Sequence, residues 1–203
     1  MAKHKINVPF FEIGPKSYLY GDDVLELALA ADKASEKYGV DVIFTCPVVE
    51  IRRVAEATKH IHVFAPHMDP IPVGRGTADT LAEALVAAGA EGTQLNHVEK
   101  PLDFDTLAAT IARAKEVGLM TMVCADSMAE ASKITALKPT CVVAEPSELI
   151  GTGISNGADV YNTIIAGADA TGSSSGVAKA ADRAAMVDEM IAAVRKAWDE
   201  RHN

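Results

Sequence analysis

Short apolar runs alternate with longer amphipathic stretches along most of this 203-residue chain. The apolar runs are continuous and lack a polar residue at every second position, which is typical of strands buried on both faces of a parallel sheet. We predict seven such strands, the last of them weakly marked: Ile6–Ile13, Val40–Cys46, His62–Pro66, Gly92–Asn96, Leu119–Ala125, Cys141–Glu145 and Ala168–Ser173.

The stretches between these runs have the spacing of amphipathic helices. They predict helices at about Asp22–Tyr38, Val48–Thr58, Ala78–Ala88, Phe104–Glu116, Ala129–Leu137, Ala158–Ala166 and Asp182–Arg201. Gly39 and Gly118 follow two of them, as expected for helix ends. Regular alternation of strand and helix over residues 1–203 predicts a single α/β domain whose parallel strands are joined by right-handed crossovers.

Two architectures fit this alternation, an open doubly wound sheet and a closed β/α barrel. The first strand is not followed by a G-x-G-x-x-G turn, which disfavours a dinucleotide-binding sheet. Polar residues follow the C-terminal ends of several strands, as they do in the active sites of barrels. These residues are Lys16, His67, His97, Asp126, Glu145 and Ser173 to Ser175.

The most informative stretch is A-E-P-S-E-L-I-G-T-G at residues 144–153. It places Glu145 at the end of a buried strand, and Pro146 stops the strand because it has no N–H to donate. Gly151 and Gly153 allow backbone N–H groups to approach a ligand closely. The stretch therefore indicates a carboxylate base beside an anion site, and the competing interpretation is an ordinary turn with a solvated carboxylate.

Three further strand ends carry candidate chemistry. Lys16 supplies a point charge, His97 supplies an imidazole, and Glu99 is placed to orient His97 or to pair with Lys16. The small residues T-G-S-S-S-G-V before the last helix offer successive N–H groups to an anion, unless they form only a flexible linker. Together these groups suit proton transfer next to a carbonyl.

The order of the motifs G-P-K-S-Y, L-N-H-V-E-K, A-E-P-S-E-L-I-G-T-G and S-S-S-G-V-A-K-A resembles that of triosephosphate isomerases, especially the short archaeal-type forms, over nearly the whole chain. The resemblance implies a TIM (β/α)8-type barrel, of which seven strands are readable here. It also implies an aldose–ketose isomerase that interconverts glyceraldehyde 3-phosphate and dihydroxyacetone phosphate through an enediolate, without cofactor or metal.

The same resemblance implies a role for each site residue. Glu145 removes and returns the proton, neutral His97 polarises the carbonyl, Lys16 stabilises the enediolate and the phosphate, and Glu99 supports the site. The phosphate is held by backbone N–H groups of Gly151, Ser174 and Ser175, and the loop from Pro146 to Gly153 closes over it.

Three departures from the family pattern bear on this reading. Gly14 stands where the family usually has Asn, and Val98 where Ser is common. The third departure is the absence of one βα repeat near the join G-T-G-I-S, because I-G-T-G runs straight into I-S-N-G-A-D-V-Y. If the chain is continuous there, we expect a barrel that is split between the sixth and last strands and has little activity. Two alternatives therefore stay open, an isomerase of a four-carbon phosphosugar and a barrel that binds a phosphorylated ligand without turnover.

The composition and charge of the chain limit the classes of molecule that it can bind. A net charge of −9 argues against nucleic acid or an anionic membrane as a partner, but not against a small phosphorylated sugar. Three cysteines in predicted strands, no signal-peptide pattern and no long apolar run predict a cytoplasmic location. The loop from His67 to Thr77 matches a region that reaches into a neighbouring subunit in the resembling family, which implies a homodimer or homotetramer.

Overall fold

The computed structural model describes residues 5–145 and 153–203. Within them, seven parallel strands form one sheet in the order β6-β5-β4-β3-β2-β1-β7. The strands are β1 (Phe10–Ile13), β2 (Asp41–Thr45), β3 (Ile61–Ala65), β4 (Gly92–Leu95), β5 (Met120–Ala125), β6 (Cys141–Ala144) and β7 (Ala170–Ser173). The prediction of seven strands in a parallel β/α arrangement is confirmed.

Helices connect the strands, and a single turn of 3₁₀ helix at Val48–Glu50 leads into the second of them. They are α1 (Asp22–Tyr38), α2 (Ile51–Ala57), α3 (Ala82–Ala88), α4 (Phe104–Glu116), α5 (Met128–Thr135), α6 (Gly157–Ile165), α7 (Ser175–Ala178) and α8 (Arg183–His202). No helix in the described part of the chain is both long enough and apolar enough to cross a bilayer.

The sheet curls like a barrel but does not close. β7 pairs with β1, so that Glu12 lies opposite Gly172, and β6 pairs with β5. Across residues 5–145 and 153–203 no ladder joins β6 to β7, and these two strands are the edges of the sheet. The expected opening between the sixth and last strands is therefore present.

The core has two layers. The larger one lies between the outer face of the sheet and the helices, and includes Phe11, Ile13 and Phe44. The smaller one lies on the concave face and is built around Ile43 and Phe64 with Met120 and Met122. The Phe64 ring covers Gly92 so closely that a Cβ there would lie 2.3 Å from a ring carbon.

A buried histidine joins the N-terminal ends of three strands, opposite the end where the polar strand tips lie. His62 is 1% exposed, and its Nδ1 lies 2.8 Å from Glu91 Oε2 and its Nε2 3.5 Å from Asp41 Oδ2. Burial lowers the pKa of His62, but hydrogen bonds to Asp41 and Glu91 outweigh it and raise the pKa to about 9. His62 is thus a cation at neutral pH and an ionic link between β2, β3 and β4.

The C-terminal helix α8 packs against α6 and α1 and reaches the turn that enters the edge strand β7. Arg201 Nη1 donates to the carbonyl oxygens of Ile164, at 2.8 Å, and Ala168, at 2.7 Å. Nη2 of the same guanidinium lies 3.2 Å from Asp169 Oδ1. One side chain of α8 therefore fixes the turn that leads from α6 into β7.

The two largest errors in the predicted boundaries are at the starts of a strand and of a helix. The first strand begins at Phe10 instead of Ile6, because Pro9 cannot donate a backbone hydrogen bond to a ladder. The third helix begins at Ala82 instead of Ala78. Asp69 and Thr80 bond to each other through both of their backbone N–H groups, which keeps the chain before Ala82 in the loop conformation.

Candidate active site

The C-terminal ends of β1, β4 and β6 bring together four side chains that the sequence singled out. His97 Nε2 lies 3.8 Å from Glu145 Oε2, just beyond hydrogen-bonding distance. Lys16 Nζ lies 3.2 Å from Glu99 Oε1. Glu99 makes both of the contacts that the sequence suggested. Its backbone N–H donates to His97, and its carboxylate accepts from Lys16.

The hydrogen bonding of His97 fixes which ring nitrogen carries the proton in the neutral form. The backbone N–H of Glu99 donates to His97 Nδ1 at 3.0 Å, so Nδ1 is an acceptor. The proton of the neutral ring therefore sits on Nε2, the atom that faces Glu145. Burial and the positive charge of Lys16 lower the pKa of His97, against the opposing charges of Glu145 and Glu99.

Asn96 holds the turn that presents His97. Its backbone has φ 57°, a left-handed conformation that Asn tolerates better than most residues. Its side chain donates to the Cys124 carbonyl at 3.0 Å and to Glu130 Oε1 at 3.1 Å, and it accepts from the N–H of Leu102 at 3.0 Å. The tip of β4 is thus tied to β5, α5 and the loop that follows His97.

Glu145 and Lys16 are also set by their strands. The N–H of Glu145 donates to the Ala125 carbonyl at 2.9 Å, which extends the β6–β5 ladder to the carboxylate-bearing residue. Its side chain is 36% exposed, so the carboxylate opens to solvent while His97 beside it is 8% exposed. Lys16 follows β1 with φ 48°, in the left-handed region that L-residues seldom occupy.

Two of the predicted phosphate residues, Ser174 and Ser175, lie at the end of β7. Ser174 precedes the short helix α7 and Ser175 is its first residue. Ser174 Oγ would lie 3.4 Å from a Cβ on Gly14, which places it next to the end of β1. Ser173 donates to the Ile154 carbonyl at 2.8 Å, so the chain after the join packs directly on this strand tip. Gly151 and the predicted closing loop, at positions 146–152, lie outside the described residues.

The two remaining strand tips are engaged with their own loops. His67 Nε2 lies 3.0 Å from Asp69 Oδ1, within the loop that follows β3. The N–H of Asp126 donates to Glu130 Oε2 at 2.7 Å. Both residues therefore bind to side chains that do not belong to the cluster around His97.

Sequence reasoning missed Glu12, which lies on the concave face of β1. Thr45 Oγ1 donates to its Oε1 at 2.6 Å, and the side chain is largely buried. Burial raises the pKa of Glu12 to about 7, with Glu145 adding to the rise and Thr45 and Lys16 opposing it. The available signal was a carboxylate inside an apolar strand, two residues before Gly14 and four before Lys16.

Comparison with known proteins gives one consistent result. The family model described as triosephosphate isomerase matches residues 16–187 of this chain. The triosephosphate isomerase of Sulfurisphaera tokodaii is 30% identical over an alignment that covers 95% of this chain and 98% of that protein. That alignment runs over 226 positions, more than the 203 residues of this chain, so the relative carries sequence that this chain lacks.

Two further matches agree. The triosephosphate isomerase of Methanocaldococcus jannaschii is 38% identical over 134 residues, or 66% of this chain and 61% of that protein. Among solved structures, the triosephosphate isomerase of Bartonella henselae superposes with a TM-score of 0.74 at 14% identity, covering 94% of this chain and all of that one. At that identity the superposition bears on the fold alone.

Proposed function

This chain belongs to the triosephosphate isomerase family, and on that premise we propose that it interconverts glyceraldehyde 3-phosphate and dihydroxyacetone phosphate. The observation that carries the proposal is the pair His97 and Glu145, whose facing atoms lie 3.8 Å apart. A carboxylate and an Nε2–H donor at this separation can engage adjacent carbons and oxygens of one small substrate.

In the proposed reaction Glu145 takes a proton from the carbon beside the carbonyl and returns it to the neighbouring carbon. His97 donates a hydrogen bond from Nε2 to the carbonyl oxygen as negative charge develops there. Its lowered pKa favours the neutral ring, which suits a hydrogen-bond donor that is not itself a cation. A neutral histidine in this role is typical of the family, and here it is supported by the hydrogen bond from the Glu99 N–H to Nδ1.

Lys16 and Glu99 complete the proposed charge arrangement. Lys16 supplies the positive charge for the enediolate and the phosphate, and Glu99 holds the ammonium at 3.2 Å. We further propose that the backbone N–H groups of Ser174, Ser175 and Gly151 bind the phosphate. The same family relationship motivates a homodimer or homotetramer as the working assembly.

Turnover of dihydroxyacetone phosphate by the wild-type chain, followed by a coupled dehydrogenase assay, tests the proposal. Glu145→Gln should lower kcat by roughly 100- to 10,000-fold, because the base is removed while the shape is kept. Glu26→Gln, an exposed site on α1, is the matched control and should behave as wild type. Wild-type turnover in Glu145→Gln would remove Glu145 from this role.

A second candidate follows from the opening between β6 and β7, which leaves the site without the repeat that the relatives carry. In this alternative the chain binds a phosphorylated ligand and does not turn it over. Binding of glycerol 3-phosphate by calorimetry, combined with no turnover of three- or four-carbon sugar phosphates, would support it. Turnover of the four-carbon substrate alone would instead indicate a changed substrate length.

A further inference from the structure

Glu12 is a titratable side chain beside the proposed site, coupled to Glu145 and Lys16, that the mechanism does not use. Its Cβ and carboxylate fill space left open by two glycines, Gly14 just after β1 and Gly172 on the neighbouring strand β7. A Cβ on Gly14 would lie 2.9 Å from Glu12 Oε1, and one on Gly172 would lie 2.9 Å from Glu12 Cβ and from Oε2. The carboxylate therefore forms the floor between the ends of β1 and β7, where Lys16 and Ser174 begin their turns.

The surroundings of this carboxylate disfavour its charge. Within residues 5–145 and 153–203, no Lys, Arg or His nitrogen comes within ion-pair distance of it, and its hydrogen bond comes from the neutral hydroxyl of Thr45. A largely buried carboxyl without a cationic partner is costly to ionise. The titratable groups that face it are Lys16, after the same strand, Glu145 after β6 and Cys124 on β5.

The three neighbours act differently on an ionised Glu12: Lys16 attracts it, Glu145 repels it, and Cys124 is uncharged. Glu145 raises the pKa of Glu12 and Lys16 lowers it. Cys124 stays a neutral thiol, because burial and the charges of Glu145 and Glu12 raise its pKa. An ionised Glu12 would therefore place a second carboxylate beside Glu145 and compete with the substrate for the charge of Lys16.

We propose that Glu12 is a positioning residue whose ionisation weakens the binding of the phosphorylated substrate. When the Glu12 carboxyl is protonated, it carries no charge, and the ammonium of Lys16 is free to interact with the anionic ligand. When it is ionised, the floor repels both the phosphate and the developing enediolate. Because burial places this change at a pKa of about 7, the affinity of the site falls as pH rises through neutrality.

The kinetic test compares wild type with Glu12→Gln between pH 5.5 and 9, and its expectation rests on the proposed function. The ratio of the wild-type KM to the Glu12→Gln KM should be near one at low pH and rise to roughly tenfold at high pH, with a smaller change in kcat. The phosphate of the substrate titrates identically with both proteins, so its contribution cancels in the ratio. Glu26→Gln, compared in the same way, should give a flat ratio.

Thr45→Val is a second variant that leaves Glu12 in place. The hydroxyl of Thr45 lowers the pKa of Glu12, so its removal should move the midpoint of the KM change to higher pH. A merely structural role for Glu12 would not produce this shift. A flat ratio for Glu12→Gln, or an unmoved midpoint in Thr45→Val, would overturn the proposal.

Two measurements do not depend on turnover. The affinity for glycerol 3-phosphate, measured by calorimetry, should fall between pH 6 and 8 in wild type more than in Glu12→Gln. The infrared carboxylic-acid band should disappear over the same range in wild type, and this change should be absent from Glu12→Gln. If turnover is absent but both changes occur, the proposed reaction fails and the role of Glu12 stands. If neither occurs, the role of Glu12 fails whatever the turnover.

Discussion

Two histidines of this chain have opposite charge states near neutral pH because their nitrogens meet different partners. Both nitrogens of His62 face carboxylates, which raises its pKa to about 9. His97 instead accepts a backbone N–H at Nδ1 and lies near Lys16, and burial lowers its pKa. The same side chain is thus a structural cation at one end of the strands and a neutral donor at the other.

For His97 we expect the midpoint of ring protonation to lie below the ordinary pKa of about 6.5, because burial and the charge of Lys16 lower its pKa. Nitrogen-15 NMR of the ring, assigned with His97→Gln, should show Nε2 protonated and Nδ1 unprotonated between pH 8 and pH 7. A His97 ring that becomes doubly protonated above pH 6.5 would contradict the assigned tautomer and its role.

At the scale of elements, the sequence predicted well where the signal is local. The bounds of α1 and α4 were predicted to the residue, because Gly39 closes the first in a left-handed conformation and the side chain of Asp103 caps the second. The start of α3 depends on Asp69 binding Thr80, a contact across a loop that no local pattern contains. The sequence did not predict that Glu12 faces the site, because this position depends on the pairing of β7 with β1.

The contact between Gly92 on β4 and Phe64 on β3 makes a packing prediction. Gly92→Ala should destabilise the fold by about 1–3 kcal/mol, because the new Cβ meets the ring of a fully buried phenylalanine. Urea unfolding checks the free energy. Phe64→Leu should relieve the collision, so the double variant should lose less stability than the two single variants combined. If the two single losses of stability add up to the loss in the double variant, Gly92 and Phe64 do not interact in this way.

The ionic link at the N-terminal ends of β2, β3 and β4 predicts a pH dependence of stability. The folded-state pKa of His62 is raised, so its contribution is fully present below the unfolded value of about 6.5 and is lost as pH rises through about 9. Asp41 has a lowered pKa, so its contribution is present above its unfolded value and is lost as pH falls.

Urea unfolding of wild type and His62→Gln at pH 7 and pH 9.5 measures this contribution. The difference in free energy of unfolding between the two proteins should be large at pH 7 and smaller at pH 9.5. His60→Gln, which alters a partly exposed surface histidine two residues earlier, should give a small difference at both values. A difference that does not fall between pH 7 and pH 9.5 would show that His62 is neutral in the folded protein.

At the scale of the molecule, the proposed assembly depends on the loop between β3 and α3. Residues 72–79 of this loop are all exposed, and Val73 is 69% exposed. We expect light scattering at micromolar concentration to give a dimer or tetramer. Val73→Asp, which places a charge on the loop without touching the core, should shift the mass toward the monomer. A wild-type monomer at that concentration would exclude this assembly.

The strand order also sets the succession in which strand pairs can form as the chain folds. From β1 to β6, neighbours in the sheet are neighbours along the chain, so each pairing closes a single crossover. The pairing of Phe10 with Ala170 instead closes a loop that contains most of the protein. Each doubling of loop length adds only about 0.6 kcal/mol of closure entropy, yet such non-local pairings form slowly. A ribosome releases β1 long before β7, so a nascent chain can assemble six strands and then wait for β7 and α8 to dock on the strand that was made first.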